Sequence, residues 1–318
     1  MALLAALIWI SALPAVYQVA AVTDNFVLHT SDGVPIGSAE FLEVLNQRMD
    51  ALQMSTGVYL DSKADIYVVP DRSSYQSLAR GKGAIVEFSN AFYSPAEKRI
   101  YIRSADQIWE NYGGIIIHEY THWYLDEILL SAPLWFHEGL ATREGGQLGM
   151  DRYLYYVRER FWGNKMDLFE LAYRYPSQRA EWEMYYLSSY FAVKHMRDKD
   201  PEAWRGFWTI VADNYRQGQK TRFTAAFGQA YGSSLYQFNL EFAAASKRQA
   251  WIYLIVGVNS IIFTLLPLLL ILAALRRRKR MKALPELEIE PDPEPERKLN
   301  YIVEGSETGN SSEDKKDP

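Results

Sequence analysis

His118, Glu119 and His122 stand in the order H-E-x-x-H, and Glu138 follows within Trp135-Phe136-His137-Glu138-Gly139-Leu140-Ala141. Side chains four apart on an α-helix lie one turn apart on the same face, so the two imidazoles can reach one zinc ion. Glu119 then sits beside that ion as a carboxylate placed to take a proton from water. Glu138 can supply the third ligand. A His2Glu set leaves a fourth position open, whereas a structural zinc is closed by four protein ligands. The chemistry that follows is hydrolysis by a zinc-activated water, with Glu119 as general base. The chain has only five histidines and two fall in this motif, which leaves little room for reading them as ordinary helix-face residues.

These groups need two helices and a turn between them. The apolar run Ile115–Ile117 ahead of His118 buries one side of a helix expected over residues 107–128, with Gly113-Gly114 interrupting it near its start. Pro133 breaks the connection that follows. A second helix, expected over 134–145, carries Glu138 beside Gly139, which is small enough to let helices approach closely, and Gly145-Gly146 stop it. His137 points about 100° round that helix from Glu138, and is read as a supporting or structural residue, not a ligand.

The two motifs together resemble the gluzincin metallopeptidases, specifically the peptidase MA-like group, which pairs H-E-x-x-H with a downstream W-[LF]-x-E-G-x-A. The likeness covers roughly residues 25–245 and is strongest at the motifs. The gap of 15 residues between His122 and Glu138 is shorter than in thermolysin-like enzymes. The resemblance implies zinc on His118, His122 and Glu138, a peptide or protein substrate, and Glu119 as the base. It also implies a Tyr or His from the next helix that stabilises the oxyanion. The segment MYYLSSYFAVKHM resembles the family's Y-x-x-S-Y-x-F-type helix, which favours Tyr186 over Tyr190 and His195.

Two departures from related families bear on the mechanism. Thermolysin-like enzymes place an acidic residue four positions after the ligand glutamate; here that position is Thr142. The carboxylate that would orient an imidazole falls instead to Glu144 or Asp126. The G-x-M-x-N element of the aminopeptidase branch is absent, since residues 83–87 read GAIVE, so an endopeptidase is the expectation. The competing reading is a non-catalytic zinc-binding ectodomain that binds a partner protein at the cell envelope. A structural zinc has no use for a base such as Glu119, which favours the enzyme. A hydrolase acting on a non-peptide substrate would use the same residues.

The surrounding pattern is α+β. Strands are expected at Asn25–Thr30, Ala64–Val69, Ala84–Phe88 and Arg99–Ile102, with an amphipathic helix over 38–54 and a short one at Ser73–Leu78. His29 reads as a sheet residue. In zincin-like folds a sheet edge lies along the cleft, where an extended substrate can add as a strand; Ala84–Phe88 is the expected edge. Helices are expected at 151–161, 166–173, 182–197, 201–217, 221–230 and 234–246. The predicted architecture is therefore a zincin-like small mixed sheet with an active-site helix, then a helical subdomain, then a C-terminal transmembrane helix.

The chain has 318 residues, a net charge of −5 and no cysteine. That balance argues against nucleic-acid binding, and it excludes disulfides and thiol chemistry. Residues 1–22 read as a signal peptide cleaved after Ala21, or as an N-terminal membrane anchor. Residues 251–275 run 25 positions without a charge, enough to cross a bilayer. Arg276–Arg280 and Lys282 follow as a basic stop-transfer segment, so the positive-inside rule puts residues 23–250 outside and the C-terminus in the cytoplasm. The domain expected outside comprises a sheet part (23–106), the zinc helices (107–146) and a helical part (151–246). Within the cytoplasmic segment 276–318, residues 283–318 carry 11 acidic and 4 basic side chains and should be disordered.

Overall fold

The computed structural model of the chain describes residues 17–31, 33–108, 111–162 and 167–282. Side chains alternate across the strands as period-two geometry requires. Phe26, Leu28, Ile66, Val68, Ile100 and Ile102 enter the main core, while Val69, Phe92 and Tyr101 form a smaller cluster on the opposite face. The strands are β1 (Gln18–Val22), β2 (Phe26–Thr30), β3 (Ala64–Val69), β4 (Ala91–Ser94) and β5 (Arg99–Arg103). They form one mixed sheet in the order β1-β2-β3-β5-β4. β2, β3 and β5 are parallel, while β1 and β4 run antiparallel to their neighbours and form the two edges.

Helix α1 (Ala39–Thr56) makes the crossover from β2 to β3. Ser38 caps it by accepting from the Phe41 N–H, and Gly57 ends it in the left-handed conformation. Helix α2 (Arg72–Ala79) brings Tyr75 to the smaller cluster. Helix α3 (Ala84–Phe88) replaces the strand expected there. A short apolar run does not distinguish strand from helix. Local bonds decide it: the Glu87 N–H donates to the Gly83 carbonyl, and the Glu87 carboxylate accepts from the Gly81 N–H at 3.0 Å. Gly83 has φ +112°, which turns the chain into this helix. The edge strand is therefore β4, immediately downstream of the expected one.

Helix α4 (Tyr112–Ile128) follows a single 3-10 turn at Ala105–Gln107. Gly113-Gly114 do not interrupt it; they form its first turn, capped by Asn111, whose side chain accepts from the Gly114 N–H. A Cβ on Gly114 would stand 2.3 Å from the Gly145 carbonyl oxygen, so this glycine permits the close approach of helix α5 (Leu134–Glu144). The helical half continues with α6 (Met150–Trp162), α7 (Arg179–Lys199), α8 (Pro201–Arg216) and α9 (Phe223–Tyr231). The helix expected over 166–173 is a series of turns among its described residues. There the Ala172 carbonyl is taken by the Leu134 N–H at 2.6 Å, so its hydrogen bond goes to the N-terminus of α5. Two short strands, β6 (Leu129–Leu130) and β7 (Thr221–Arg222), pair in parallel. Phe136 ties α5 to α8 and α9, with ring centroids 5.9 Å from Phe207 and 4.7 Å from Phe223.

The segment expected as a helix over 234–246 does not stop. Helix α10 runs from Leu235 to Lys282 with Pro267 inside it. Its first turns bury Phe238, Phe242, Ser246 and Ala250, a spacing of four that lays one stripe on the core. Between Trp251 and Leu275 the large apolar side chains are mostly exposed, and the helix is long and apolar enough to cross a membrane. Of the segment expected as signal peptide or anchor, residues 1–16 lie outside the described residues; Gln18–Val22 are β1, so cleavage after Ala21 would cut a paired strand. The acidic stretch 283–318 also lies outside the described residues.

Candidate metal centre

The rear of α4 sets the direction of its front. Tyr120 and Tyr124 are buried against α1, where Gln53 donates to the Tyr120 hydroxyl at 3.1 Å and the Tyr124 hydroxyl donates to the Val58 carbonyl at 2.9 Å. Gln53 also bonds Asn25, which reaches Asn46 and Asp50. A buried polar network of this kind holds a helix in one rotational setting, because any slip strands its donors. The setting turns His118, Glu119 and His122 toward a cavity of about 270 Å³.

Helix α5 brings Glu138 to the same place. Gly139 makes this possible: a Cβ there would stand 2.2 Å from the Ser189 carbonyl oxygen of α7. The result is a triangle of ligand atoms. The Nε2 atoms of His118 and His122 are 3.1 Å apart, and Glu138 Oε2 lies 3.4 Å from the first and 3.6 Å from the second. Ligands about 2.1 Å from a tetrahedral ion stand roughly 3.4 Å from one another, so the three atoms fit one face of such a shell. Glu138 is 2% exposed, yet its Oε2 has no hydrogen-bond partner among the described residues. A buried carboxylate oxygen left in that condition is costly unless a cation takes it. The donor set thus fits a metal ion.

The charges follow from this packing. Burial works against ionising Glu138, but His122 and His118 outweigh it and hold the carboxyl far below its ordinary range. For His122 burial favours the neutral ring, and Glu138 reverses that and raises its pKa. Burial, with a smaller contribution from His122, pushes His137 down to about 3, so its ring stays neutral. It stacks on His122 with centroids 5.8 Å apart, a supporting wall and no part of the ligand triangle. Burial raises Glu119, with His118 and His122 opposing. The Tyr93 backbone N–H of β4 donates to Glu119 Oε2 at 2.8 Å.

Of the residues singled out from the sequence, His118, Glu119, His122, Glu138 and Tyr186 all line the one cavity. The Tyr186 ring meets His118 edge-on at 6.4 Å, and its hydroxyl has no hydrogen-bond partner among the described residues. Tyr190 packs on Phe191, and His195 faces Phe238 and Phe242, both outside the cavity. Asp126 accepts from the Tyr93 hydroxyl at 2.7 Å and Glu144 lies by Arg143, so neither orients an imidazole. The Nδ1 of His118 and the Thr142 hydroxyl are both buried without a partner.

The residue that sequence reasoning missed is Tyr175. Its hydroxyl donates to Glu138 Oε1 at 2.5 Å, which leaves Oε2 facing the two histidines. Pro176 restricts Tyr175 to extended backbone, a signal of a fixed loop residue that says nothing of its partner. The edge strand β4 forms the opposite wall, with Ala91, Phe92 and Tyr93 lining the cavity. No family model matches the chain, and no curated protein matches it.

Proposed function

We propose that this chain is a membrane-anchored zinc metallopeptidase of the gluzincin type. The observation that carries the proposal is the closed triangle of His118, His122 and Glu138, with an orphaned Glu138 Oε2, opening into the cavity that also holds Glu119. A zinc ion held by these ligands supplies Lewis acidity and lowers the pKa of water toward about 7. Glu119 takes the proton of the attacking water. The Tyr93 amide engages its Oε2, leaving Oε1 as the accepting atom. Burial raises the carboxyl's proton affinity, which suits a group that must take a proton from water. The Tyr186 hydroxyl is free to donate to the oxyanion.

The experiment is metal analysis of the full chain in neutral detergent, with peptidase assays of wild type beside Glu119→Gln at matched metal content. Gln keeps the shape of Glu and cannot accept the proton, so turnover should fall about 10²–10⁴-fold with zinc retained. His122→Ala should lose the metal. Wild-type turnover in Glu119→Gln at full occupancy removes Glu119 as base, and full zinc in His122→Ala removes the ligand assignment. Zinc binding without cleavage of any peptide would favour a non-catalytic ectodomain.

The anchor in this reading is the stretch 251–275 of α10, with the basic residues 276–282 on the cytoplasmic side and the peptidase domain outside. Protease added to intact cells should then digest the domain and spare a C-terminal tag. Loss of the tag instead reverses the orientation.

A further inference from the structure

Among the described residues, three buried side-chain atoms without hydrogen-bond partners gather outside the metal centre: Tyr156 Oη and Arg160 Nε on α6, and His195 Nε2 on α7. They line two adjoining cavities of about 80 and 210 Å³ that share Tyr156, Phe242 and Ser246. Tyr156 is 1% exposed. All three groups can donate a hydrogen bond, and buried donors with nothing to donate to are costly. The Ser246 hydroxyl is turned to the Ala243 carbonyl at 3.0 Å, and Arg160 Nη2 donates to the same carbonyl at 2.7 Å. That bond anchors the guanidinium on α10 and leaves Nε–H to the cavity.

The lining also carries charge of both signs. Asp198 is engaged by Lys194 and Arg197. Asp167 accepts from Asn239 and from the Phe169 N–H. Arg160 and Arg248 have no carboxylate partner among the described residues. A ligand that satisfies these donors offers several acceptors and a negative charge. Phosphate does so, and its bonds to Arg are charge-assisted.

We propose that this double cavity binds the phosphate of an anionic phospholipid headgroup. The phosphate chemistry rests on the converging donors; the lipid source rests on reading 251–275 as a membrane span. Arg248 and Gln249 line the smaller cavity, and Arg248 lies three residues before Trp251, about 4.5 Å along the helix axis. Trp251 packs edge-on against Phe161 at 4.8 Å, and Tyr253 against Tyr153 at 5.1 Å. Aromatic rings with polar edges belong at the level of lipid headgroups. The site therefore sits where α10 leaves the folded domain, and a bound lipid would brace α6 and α7 against it.

The test uses the full chain in neutral detergent and has two arms. In the first, inorganic phosphate should raise the melting temperature of wild type and leave that of the double variant Arg160→Gln/Arg248→Gln unmoved; equal shifts in both overturn the site. In the second, native mass spectrometry reads retention of phosphatidylglycerol against phosphatidylcholine. Wild type should prefer the anionic lipid, and the double variant should lose roughly tenfold of that preference. Tyr156→Phe keeps the ring and removes the donor, so it should show a smaller loss and carries the test if the double variant misfolds. The basic residues 276–282 stay intact throughout, so lipid bound there does not change between variants. Equal retention in wild type and Tyr156→Phe overturns the site. Displacement of phosphatidylglycerol by inorganic phosphate at equal concentration overturns the lipid as its occupant. Neither readout depends on peptidase activity or on zinc, so a failure of the enzyme reading is separately visible.

Discussion

The two walls of the metal cavity are built differently. The sheet-side wall is β4 with α4 behind it, held by ladder hydrogen bonds and by the Asn25–Gln53–Tyr120 network. It contributes backbone groups and the two histidines. The helical wall is α5, α7 and the irregular segment before α7, held by close packing at Gly139 and by aromatic rings around Phe136. It contributes Glu138, Tyr175 and Tyr186. A wall fixed by hydrogen bonds constrains orientation, whereas one fixed by packing constrains distance. The three residues that could hold a metal ion straddle both, so each wall should fail in its own way.

The largest effect should come from the helical wall. In Gly139→Ala the new Cβ would meet the Ser189 carbonyl oxygen at 2.2 Å, and α5 must move away from α7. Glu138 moves with it, so metal binding should be lost and the melting temperature should drop, read by mass spectrometry and calorimetry. Retained metal in this variant would mean that α5 tolerates displacement and that packing does not set the ligand distance. Next, Tyr186→Phe should leave metal affinity unchanged and lower kcat about 10²–10³-fold, the effect of removing one oxyanion donor. Tyr175→Phe should show the opposite division: metal affinity, read by chelator competition, should weaken about 10–100-fold because Glu138 loses the partner that orients it. If both tyrosine variants change the same quantity, the division of roles between them is wrong.

The smallest effect on the site should come from the sheet side. Gln53→Ala leaves Asn25 and Tyr120 underbonded in the core and should cost about 1–3 kcal/mol of stability. Metal affinity should change little, because α5 and α7 are untouched. A parallel loss of metal affinity would show that the rotational setting of α4, not only the spacing of its histidines, limits binding.

Much of the cavity can be traced to local spacing. His118 and His122 share a face because four residues make about one turn. The need for a small residue at Gly139 is likewise visible beside Glu138, because an apolar helix carrying a buried ligand has to pack closely. Other features were not legible. Ala84–Phe88 is apolar enough for a strand, and only the bonds from Glu87 to Gly81 and Gly83 make it a helix. The turns at 167–174 have helical spacing, but the Ala172 carbonyl is claimed by Leu134 at the start of α5. Tyr175 is one of 22 tyrosines, and no periodicity separates it from the rest.

Placement that depends on neighbours in sequence was determined by the sequence itself: the histidine pair on α4, the carboxylate beside it, and an uncharged 25-residue run before a basic cluster. Those are short-range facts, set by helix pitch and by hydropathy. Which strand borders the cavity, which oxygen of Glu138 faces the histidines, and which tyrosine holds that carboxylate were decided only by tertiary structure. Glu119 and Tyr93 are 26 positions apart, and Glu138 and Tyr175 are 37 apart. Contacts at such separations arise from the packing of whole elements, and no local pattern encodes them.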